Sequence, residues 1–301
     1  MKFNYVFGCI LAVGLSLTAS VVLAQQTRVI EVITTFDYPG TGNSTLPQKI
    51  NDRGDISGHY VDSSGVTRGF IRFRNGTFSA PIVDPNGDGF RTEARAINNN
   101  SLVGGFYLNG NFAHGFLLSG GTFTDFDIAG ALNTYIYALN DAGDFAGEFD
   151  STGNPGQAYV NLAGDLTVFT IPDASVTIAF GMNNARDIAG NYVDSAGVNH
   201  GFFRDFAGSL TFPTDFPGAS STIPFGINDQ RMIVGRYGDA SGVQHGFVLK
   251  LPHKFMSVDF PGAVFTSLNG INRDRLMCGR YDDGSGLFHG FVARISQGPP
   301  E

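Results

Sequence analysis

Short runs in which apolar and polar residues alternate, separated by clusters of turn residues, recur along almost the whole chain. Thr222–Asn228, Ile233–Tyr237 and His245–Lys250 are three consecutive examples. Alternation with a period of two is typical of β-strands that bury one face. After the N-terminal segment no stretch keeps the 3.6-residue period of a helix. The pattern therefore predicts an all-β fold.

The alternating runs belong to a unit that occurs six times. Each copy has an apolar residue and Asn, then a turn, then an apolar-small-Gly-x-aromatic run. The Asn residues lie 42 to 47 residues apart, at Asn51, Asn98, Asn140, Asn183, Asn228 and Asn272. The Gly follows each Asn by seven positions, at Gly58, Gly105, Gly147, Gly190, Gly235 and Gly279. Asn suits this turn because it tolerates the left-handed region and bonds its own backbone. The fixed period predicts a repeat architecture.

A His-Gly-Phe sequence follows each second turn. It is intact at His114, His200, His245 and His289, and altered at Arg68-Gly69-Phe70 and Gln157-Ala158-Tyr159. An Asp-x-Pro-Gly turn, as at Asp259–Gly262, leads into the next copy. Four short antiparallel strands in roughly 44 residues are the signature of a propeller blade. We expect the recurring His to make one structural hydrogen bond in each blade.

The two ends of the repeat region predict how the array closes. The last copy stops at Ile295 without its Asp-x-Pro-Gly strand, and that strand stands at the other end as Val29–Asp37. An N-terminal strand that completes the C-terminal blade would close the ring and remove exposed edges. The prediction is a six-bladed β-propeller of four-stranded antiparallel blades. A linear β-solenoid is the alternative.

These motifs carry a resemblance to a known family. The apolar-Asn-Asp turn, the apolar-small-Gly-x-Tyr strand and the His-Gly-Phe strand resemble the HAF-type probable extracellular repeats of bacteria. The resemblance covers Val29 to Ile295. It implies export and a repeated β fold, and it brings no enzymatic activity and no catalytic residues.

The N-terminal segment predicts that the chain is exported. Residues 1–24 have a basic start, an apolar stretch and a small-x-small end, which predicts a signal peptide cleaved after Ala24. Residues 25–301 would then form a single propeller domain that is secreted, periplasmic or on the cell surface. Cys278 would be its only cysteine, so no intrachain disulfide is expected. The net charge of −8 disfavours nucleic acid as a partner. We expect a monomer with no membrane insertion after cleavage.

One position varies between copies while its neighbours are nearly constant. It lies between the Gly and the aromatic residue, and it holds His59, Phe106, Glu148, Asn191, Arg236 and Arg280. Arg236 and Arg280, with Arg68 at a related height, could hold a carboxylate or phosphate because Arg offers a forked pair of donors. Glu148 and His59 are further candidate ligand-binding residues, although the isolated His59 is expected to be exposed. The alternative is that each Arg pairs locally with a hairpin carboxylate such as Asp239 or Asp282.

The candidate metal site lies in the longest copy. Asp84, Asn86 and Asp88 alternate before a Gly, and Thr92 could add a ninth-position oxygen, which resembles the front half of a calcium loop. The twelfth position holds Arg95 instead of Glu, so the loop is not an EF-hand. Calcium is the candidate cofactor, and a long solvated turn is the alternative.

The sequence favours binding over catalysis. It contains no Gly-x-Ser-x-Gly elbow, no His-Glu-x-x-His and no phosphate-binding Gly-Lys-Ser/Thr. Aspartates concentrate in the Asp-x-Pro-Gly turns and in the hairpins after each Gly-x-aromatic strand, and these should share one face. The prediction is an exported, non-enzymatic protein that binds an extracellular protein, a polysaccharide or a small anionic ligand through an acidic loop face. The alternative is a propeller hydrolase or lyase that acts on an extracellular polymer.

Overall fold

The protein, seen in a computed structural model that describes residues 30–40, 42 and 44–295, is an all-β ring of six blades. Blade 1 holds β2 (Thr45–Ile50), β3 (Ile56–Val61) and β4 (Thr67–Arg72). Blade 2 holds β5 (Thr92–Ile97), β6 (Val103–Asn109), β7 (Phe112–Ser119) and β8 (Thr122–Phe126). Blade 3 holds β9 (Asn133–Leu139), β10 (Phe145–Ser151), β11 (Asn154–Leu162) and β12 (Asp165–Phe169).

The other three blades repeat the same antiparallel order. Blade 4 holds β13 (Val176–Met182), β14 (Ile188–Val193), β15 (Asn199–Arg204) and β16 (Leu210–Thr211). Blade 5 holds β17 (Ser221–Ile227), β18 (Met232–Gly238), β19 (Gln244–Lys250) and β20 (Lys254–Val258). Blade 6 holds β21 (Phe265–Ile271), β22 (Leu276–Asp282), β23 (His289–Ile295) and, from the N-terminal side, β1 (Ile30–Phe36). The six-bladed propeller predicted from the repeats is confirmed.

The predicted signal peptide, residues 1–24, lies outside the described residues. Within the part of the chain that the structure does describe, no helix is long and apolar enough to cross a membrane.

The ring is closed by the strand that precedes the first repeat. β1 pairs antiparallel with β23, from Ile30 opposite Ile295 to Phe36 opposite Gly290. Ile30 is buried in the apolar core of blades 5 and 6. The β-solenoid alternative is therefore wrong, because such a chain would leave its terminal units unpaired.

Blade 1 departs from the expected four strands. Its sheet has three strands, and the place of the fourth is taken by isolated bridges at Gly69–Ile82 and Arg72–Phe78. Pro81 lies between the two bridges and has no N–H to donate, so a regular outer strand cannot run through it.

The Gly that follows each Asn by seven is required by close packing. A Cβ at Gly235 would collide with the main-chain oxygen of Ile223 and the ring of Phe247. The inner strand bulges opposite this Gly, between Pro224 and Gly226. In all six copies the obstacles are the same: an inner-strand carbonyl and the buried aromatic ring of the third strand. The packing thus explains why Gly and the aromatic residue of His-Gly-Phe recur together.

Each recurring Asn performs two functions. Its Oδ1 accepts the main-chain N–H four residues later, as Asn228 does from Met232 at 2.9 Å, in all six copies. Its Nδ2 donates to the main-chain oxygen of the next blade's Asn in five of the six described copies, from Asn51, Asn98, Asn183, Asn228 and Asn272. The left-handed residue is not the Asn itself, as the sequence suggested, but the third residue after it, such as Arg231 with φ 56°.

The inner strands β2, β5, β9, β13, β17 and β21 surround the axis, each in contact with the next. Two residues before each Asn the side chain is small, except at Lys49. A Cβ at Gly270 would lie 2.9 Å from the main-chain nitrogen of Ile50, so the strands nearly touch at this level. The constriction separates a cavity of about 80 Å³ at the Asn turns from a larger one toward the opposite face.

Removal of residues 25–37 is expected to open blade 6. Ile30 is 4% exposed, and burying one such side chain contributes about 2 kcal/mol. The truncation also leaves β23 as a free edge, so aggregation or a clearly lower melting temperature should follow. A control that lacks only residues 25–29 retains β1 and should melt like the parent. The melting temperatures are measured by circular dichroism. Equal melting temperatures for the longer truncation and the parent would contradict closure of the ring by β1.

Candidate functional site

The candidate site is a cavity of about 250 Å³ inside the ring. It lies beyond the constriction, toward the face that carries the Asp-x-Pro-Gly turns and the hairpins between second and third strands. We call this the loop face. Two positions of the repeat, contributed by every blade except blade 3, supply most of its wall: the residue three before the Asn, and the variable residue after the Gly.

Two of the predicted ligand-binding residues, Arg236 and Arg280, line this cavity from adjacent blades. The guanidinium carbon of Arg236 lies 5.4 Å from the ring centre of Phe225 and 5.8 Å from that of Phe265. Arg280 lies 5.8 Å from Phe265 and 5.0 Å from Phe288. Phe265 thus stands between the two cations, and aromatic faces rather than carboxylates surround them.

Neither guanidinium contacts a carboxylate of the described residues. Within the described residues, Arg236 and Arg280 form no ion pair, and the buried Nε of each has no hydrogen-bond partner. Burial, with the neighbouring charges of Arg236 and Arg95, lowers the pKa of Arg280 to about 9, and the charge of Glu93 opposes this shift only in part. Burial also lowers the pKa of Arg236. The alternative of local pairs with Asp239 or Asp282 is wrong for both, since Asp239 instead contacts His245 and Ser241.

Further unpartnered polar atoms face the same cavity. Gln48 Nε2 and Asn191 Oδ1 are buried and have no hydrogen-bond partner. Eight such side-chain atoms occur in the described residues, and four of them belong to residues that line this cavity. Buried polar groups are ordinarily hydrogen-bonded, so their concentration here makes this cavity the candidate functional site.

His59 and Glu93 form a buried cluster beside Arg95, which lines the cavity. His59 is 6% exposed, not exposed as the sequence suggested, and its Nδ1 lies 3.4 Å from Glu93 Oε2. Arg91 Nε donates to Glu93 at 2.6 Å, and Arg95 Nη1 lies 3.3 Å from it. Burial lowers the pKa of His59 to about 4. Burial opposes ionisation of Glu93, but His59, Arg95 and Arg91 outweigh it and lower its pKa to about 2.

Glu148 is the second acidic residue of this region. Burial and the nearby charge of Asp150 raise its pKa to about 7, although Arg95 opposes the shift. Both Glu148 and Glu93 act electrostatically on Tyr135. Glu93 is therefore ionised throughout the neutral pH range, whereas Glu148 titrates within it.

Arg68 does not join Arg236 and Arg280. Its Nε lies 3.2 Å from Asp62 in the hairpin of its own blade, as the local-pair alternative proposed. It replaces the recurring histidines, each of which contacts the Asp of an Asp-x-Pro-Gly turn, as His245 Nδ1 does with Asp259 at 2.9 Å. His200 also reaches the hairpin Asp194 at 3.3 Å. These pairs place both sets of aspartates on the loop face.

The predicted calcium loop is held by its own hydrogen bonds. Asp84 is buried, its Oδ1 accepts the N–H of Asn86 at 2.9 Å, and its N–H donates to Thr92 Oγ1 at 3.1 Å. The Asn86 amide donates to Asp125 at 2.9 Å. Asp88 accepts the N–H groups of Phe90 and Gly110. Burial raises the pKa of Asp84, and calcium binding stays a prediction.

The cavity-lining residues of the inner strands were not predicted from the sequence. The residues three before each Asn are Gln48, Arg95, Tyr137, Phe180, Phe225 and Asn269. They differ in chemistry from copy to copy, as the residues after the Gly do. The same search for a variable position among constant neighbours would have found them.

Comparison with known proteins supports the fold. No family model and no curated protein sequence matches the chain, so the HAF assignment remains a prediction. Virginiamycin B lyase from Staphylococcus aureus is 12% identical, over 88% of this chain and 100% of that one, with a TM-score of 0.52. TolB from Acinetobacter baumannii is 13% identical over 80% and 65%, with a TM-score of 0.55. The SapL1 lectin, solved with alpha methyl fucoside, is 13% identical over 86% and 97%, with a TM-score of 0.53. At such identities the likeness shows the fold alone.

The raised pKa of Glu148 predicts a pH-dependent stability. Its folded pKa of about 7 exceeds the ordinary 4.5, so ionisation costs the folded state up to about 3 kcal/mol. The cost is absent below pH 4.5, grows as pH rises and is complete above pH 7. Glu148→Gln should therefore raise the melting temperature most at pH 8 and little at pH 4.5.

Glu31→Gln is the matched control for this measurement. Its hydrogen bond to Arg294 lowers the pKa of the exposed Glu31, so its loss should not stabilise the protein at pH 8. A constant difference between Glu148→Gln and the parent from pH 4.5 to pH 8 would contradict the assigned titration.

Proposed function

We propose that this protein is a non-enzymatic binding protein whose central cavity takes a small ligand through a carboxylate group. The observation that carries the proposal is the pair of buried guanidinium groups of Arg236 and Arg280, neither of which contacts a carboxylate of the described residues. A buried charge without a partner is costly, and a carboxylate between two forked donors would offset that cost.

The rest of the cavity supports a particular kind of ligand. Phe180 and Phe225 offer apolar walls, while Gln48 and Asn191 offer one unused donor and one unused acceptor. The aspartates around the loop face disfavour a polyanion that approaches from that side. These features favour a single carboxylate on an otherwise neutral body that carries hydroxyl groups or a ring. A uronic acid and an aromatic acid both fit this description.

The similar fold of a lectin is compatible with a binding role. Export, which the sequence predicts, would place such a ligand outside the cytoplasm. The acidic loop face, first proposed as the binding surface itself, becomes in this proposal the surroundings of the cavity.

The test uses the chain from residue 25 and four probes: glucuronate against glucose, and benzoate against benzyl alcohol. Carboxylates should raise the melting temperature of the parent, and their neutral partners should not. Arg236→Gln with Arg280→Gln should weaken carboxylate binding at least tenfold by calorimetry, since a hydrogen bond to a charged group contributes about 1.5–3 kcal/mol. Without ligand, the double variant should melt no lower than the parent because two unpaired buried charges are gone.

Arg68→Gln is the matched control, because Arg68 is paired with Asp62 outside the cavity. It should bind carboxylates like the parent. Failure of both carboxylates to stabilise the parent, or equal binding by the double variant, would contradict the proposal.

A hydrolase or lyase remains the second candidate because of Glu93 and Glu148. Two carboxyl groups whose pKa values are driven apart, here to about 2 and about 7, suit a division into base and acid. This alternative predicts release of reducing sugar from an extracellular polysaccharide. A neutral polymer such as xylan is the suitable probe, because the acidic loop face disfavours polyanions. Release should be at least 100-fold slower in Glu148→Gln. No product with the parent protein would favour the binding role.

A further inference from the structure

A second concave site lies between blades 5 and 6, away from the central cavity. It is a groove of about 910 Å³. Its floor includes Met232, Val248, Met256 and Ile295, which continue the apolar core shared by these two blades. A volume of this size is typical of small-molecule sites.

The wall from blade 5 is divided into an apolar row and a basic row. In the pairing of β19 with β20, Val248 stands opposite Met256 and Lys250 stands opposite Lys254. Alternate residues of a strand share one face, so both rows face the groove. Its edge is therefore cationic and its floor is apolar.

The repeats explain why the groove exists at this blade interface. Three residues after the Asn, Arg186 contacts Asp144 of the preceding blade at 2.8 Å. Arg231 likewise makes two hydrogen bonds, at 2.8 and 3.0 Å, with Asp187 of the blade before it. The equivalent residue of blade 6 is Arg275. The position that holds the acid in blades 1, 3 and 4 is apolar in blade 5, where it is Met232, as it also is at Leu102 and Leu276. Only in blade 6 does the Arg face such an apolar residue. The acid is missing while the arginine remains.

The charges at this groove do not cancel. Arg294 is satisfied by Glu31 through two hydrogen bonds at 2.8 and 3.0 Å. Arg275, Lys250 and Lys254 form no ion pair among the described residues, and Asp274 is the one other carboxylate that lines the groove. This cationic surface stands out in a chain of net charge −8.

We propose that the groove binds an anionic amphiphile, a linear acyl chain that ends in a carboxylate. The acyl chain would lie on Met232, Val248 and Met256, where the flexible methionines adapt to its shape. The carboxylate would take the place of the missing acid beside Arg275, with Lys250 and Lys254 at the edge. The proposal is independent of the central cavity, because the two sites share no lining residue.

The experiment measures calorimetric binding of dodecanoate below its micellar concentration. Dodecanol tests the need for the charge, and butanoate tests the need for the tail. The parent should bind dodecanoate, and each of the other two compounds at least tenfold more weakly. Lys250→Gln with Lys254→Gln and Arg275→Gln should reduce dodecanoate affinity at least tenfold. All titrations are also made in the Arg236→Gln, Arg280→Gln background, which lacks the proposed carboxylate site of the central cavity, and the groove should still bind dodecanoate there.

Met232→Asp rebuilds the acid that blades 3 and 4 carry and should pair with Arg275, so it should also lose dodecanoate binding. If the Met232→Asp protein does not fold, the variant with Lys250→Gln, Lys254→Gln and Arg275→Gln still tests the proposal, because these three residues are exposed. Equal binding by the triple variant and the parent would overturn the proposal. The proposal would also be overturned if the protein bound an acidic peptide such as decaglutamate, or phosphatidylglycerol vesicles, but did not bind dodecanoate.

Discussion

The amide of the recurring Asn is the interaction on which the ring depends. Its oxygen closes the turn of its own blade, and its nitrogen donates to the main chain of the next blade, as from Asn228 to Asn272 at 3.0 Å. Only an amide combines both roles at this length, since Asp cannot donate and a hydroxyl cannot reach both partners. The bond from Asn272 to Asn51 at 3.1 Å then joins the last repeat to the first. The inner edge of the ring is thus closed by side chains while β1 closes the outer edge.

A ring held in this way leaves other positions free to differ. The Asn, the Gly and the buried aromatic residue are each required by contacts that recur in every blade. The residues three before the Asn and one after the Gly make contacts that differ from blade to blade, such as the apolar packing of Phe106 with Tyr137 and the approach of His59 to Glu93. No recurring contact restrains them. That freedom allows Arg236, Arg280 and Glu148 to stand at equivalent positions with different chemistry.

Features that recur in every repeat could be predicted from the sequence. Features in which a single copy differs from the others could not. The six Asn residues, the turn spacing and the incomplete last copy were enough for the propeller and its closure. The pairing of Arg68 with Asp62, the burial of His59 beside Glu93 and the lost outer strand of blade 1 each depend on one copy's neighbours. From the sequence, the side chain of Arg236 could be expected to project either toward one face of the ring or into the space between blades. Its lack of a carboxylate partner could not be predicted, because Asp239 lies only three residues away in the sequence and could have paired with it.

The Arg three residues after the Asn pairs with an acid of the preceding blade at only two of the six blade interfaces, and two others retain only one of the two partners. Between blades 1 and 2 the Arg of the turn is replaced by Ser101, yet Arg53 donates to its hydroxyl at 2.6 Å and also contacts Asp55. There a new contact replaces the one that was lost. Between blades 5 and 6 Met232 replaces the acid and no described residue neutralises Arg275. Arg236 and Arg280 of the same two blades likewise bring charge inside without an ion pair among the described residues. The buried Nε atoms of Arg236 and Arg280 lack a partner, which costs stability, whereas Arg275 is exposed to solvent. The two buried arginines are therefore the stronger support for the proposed binding role.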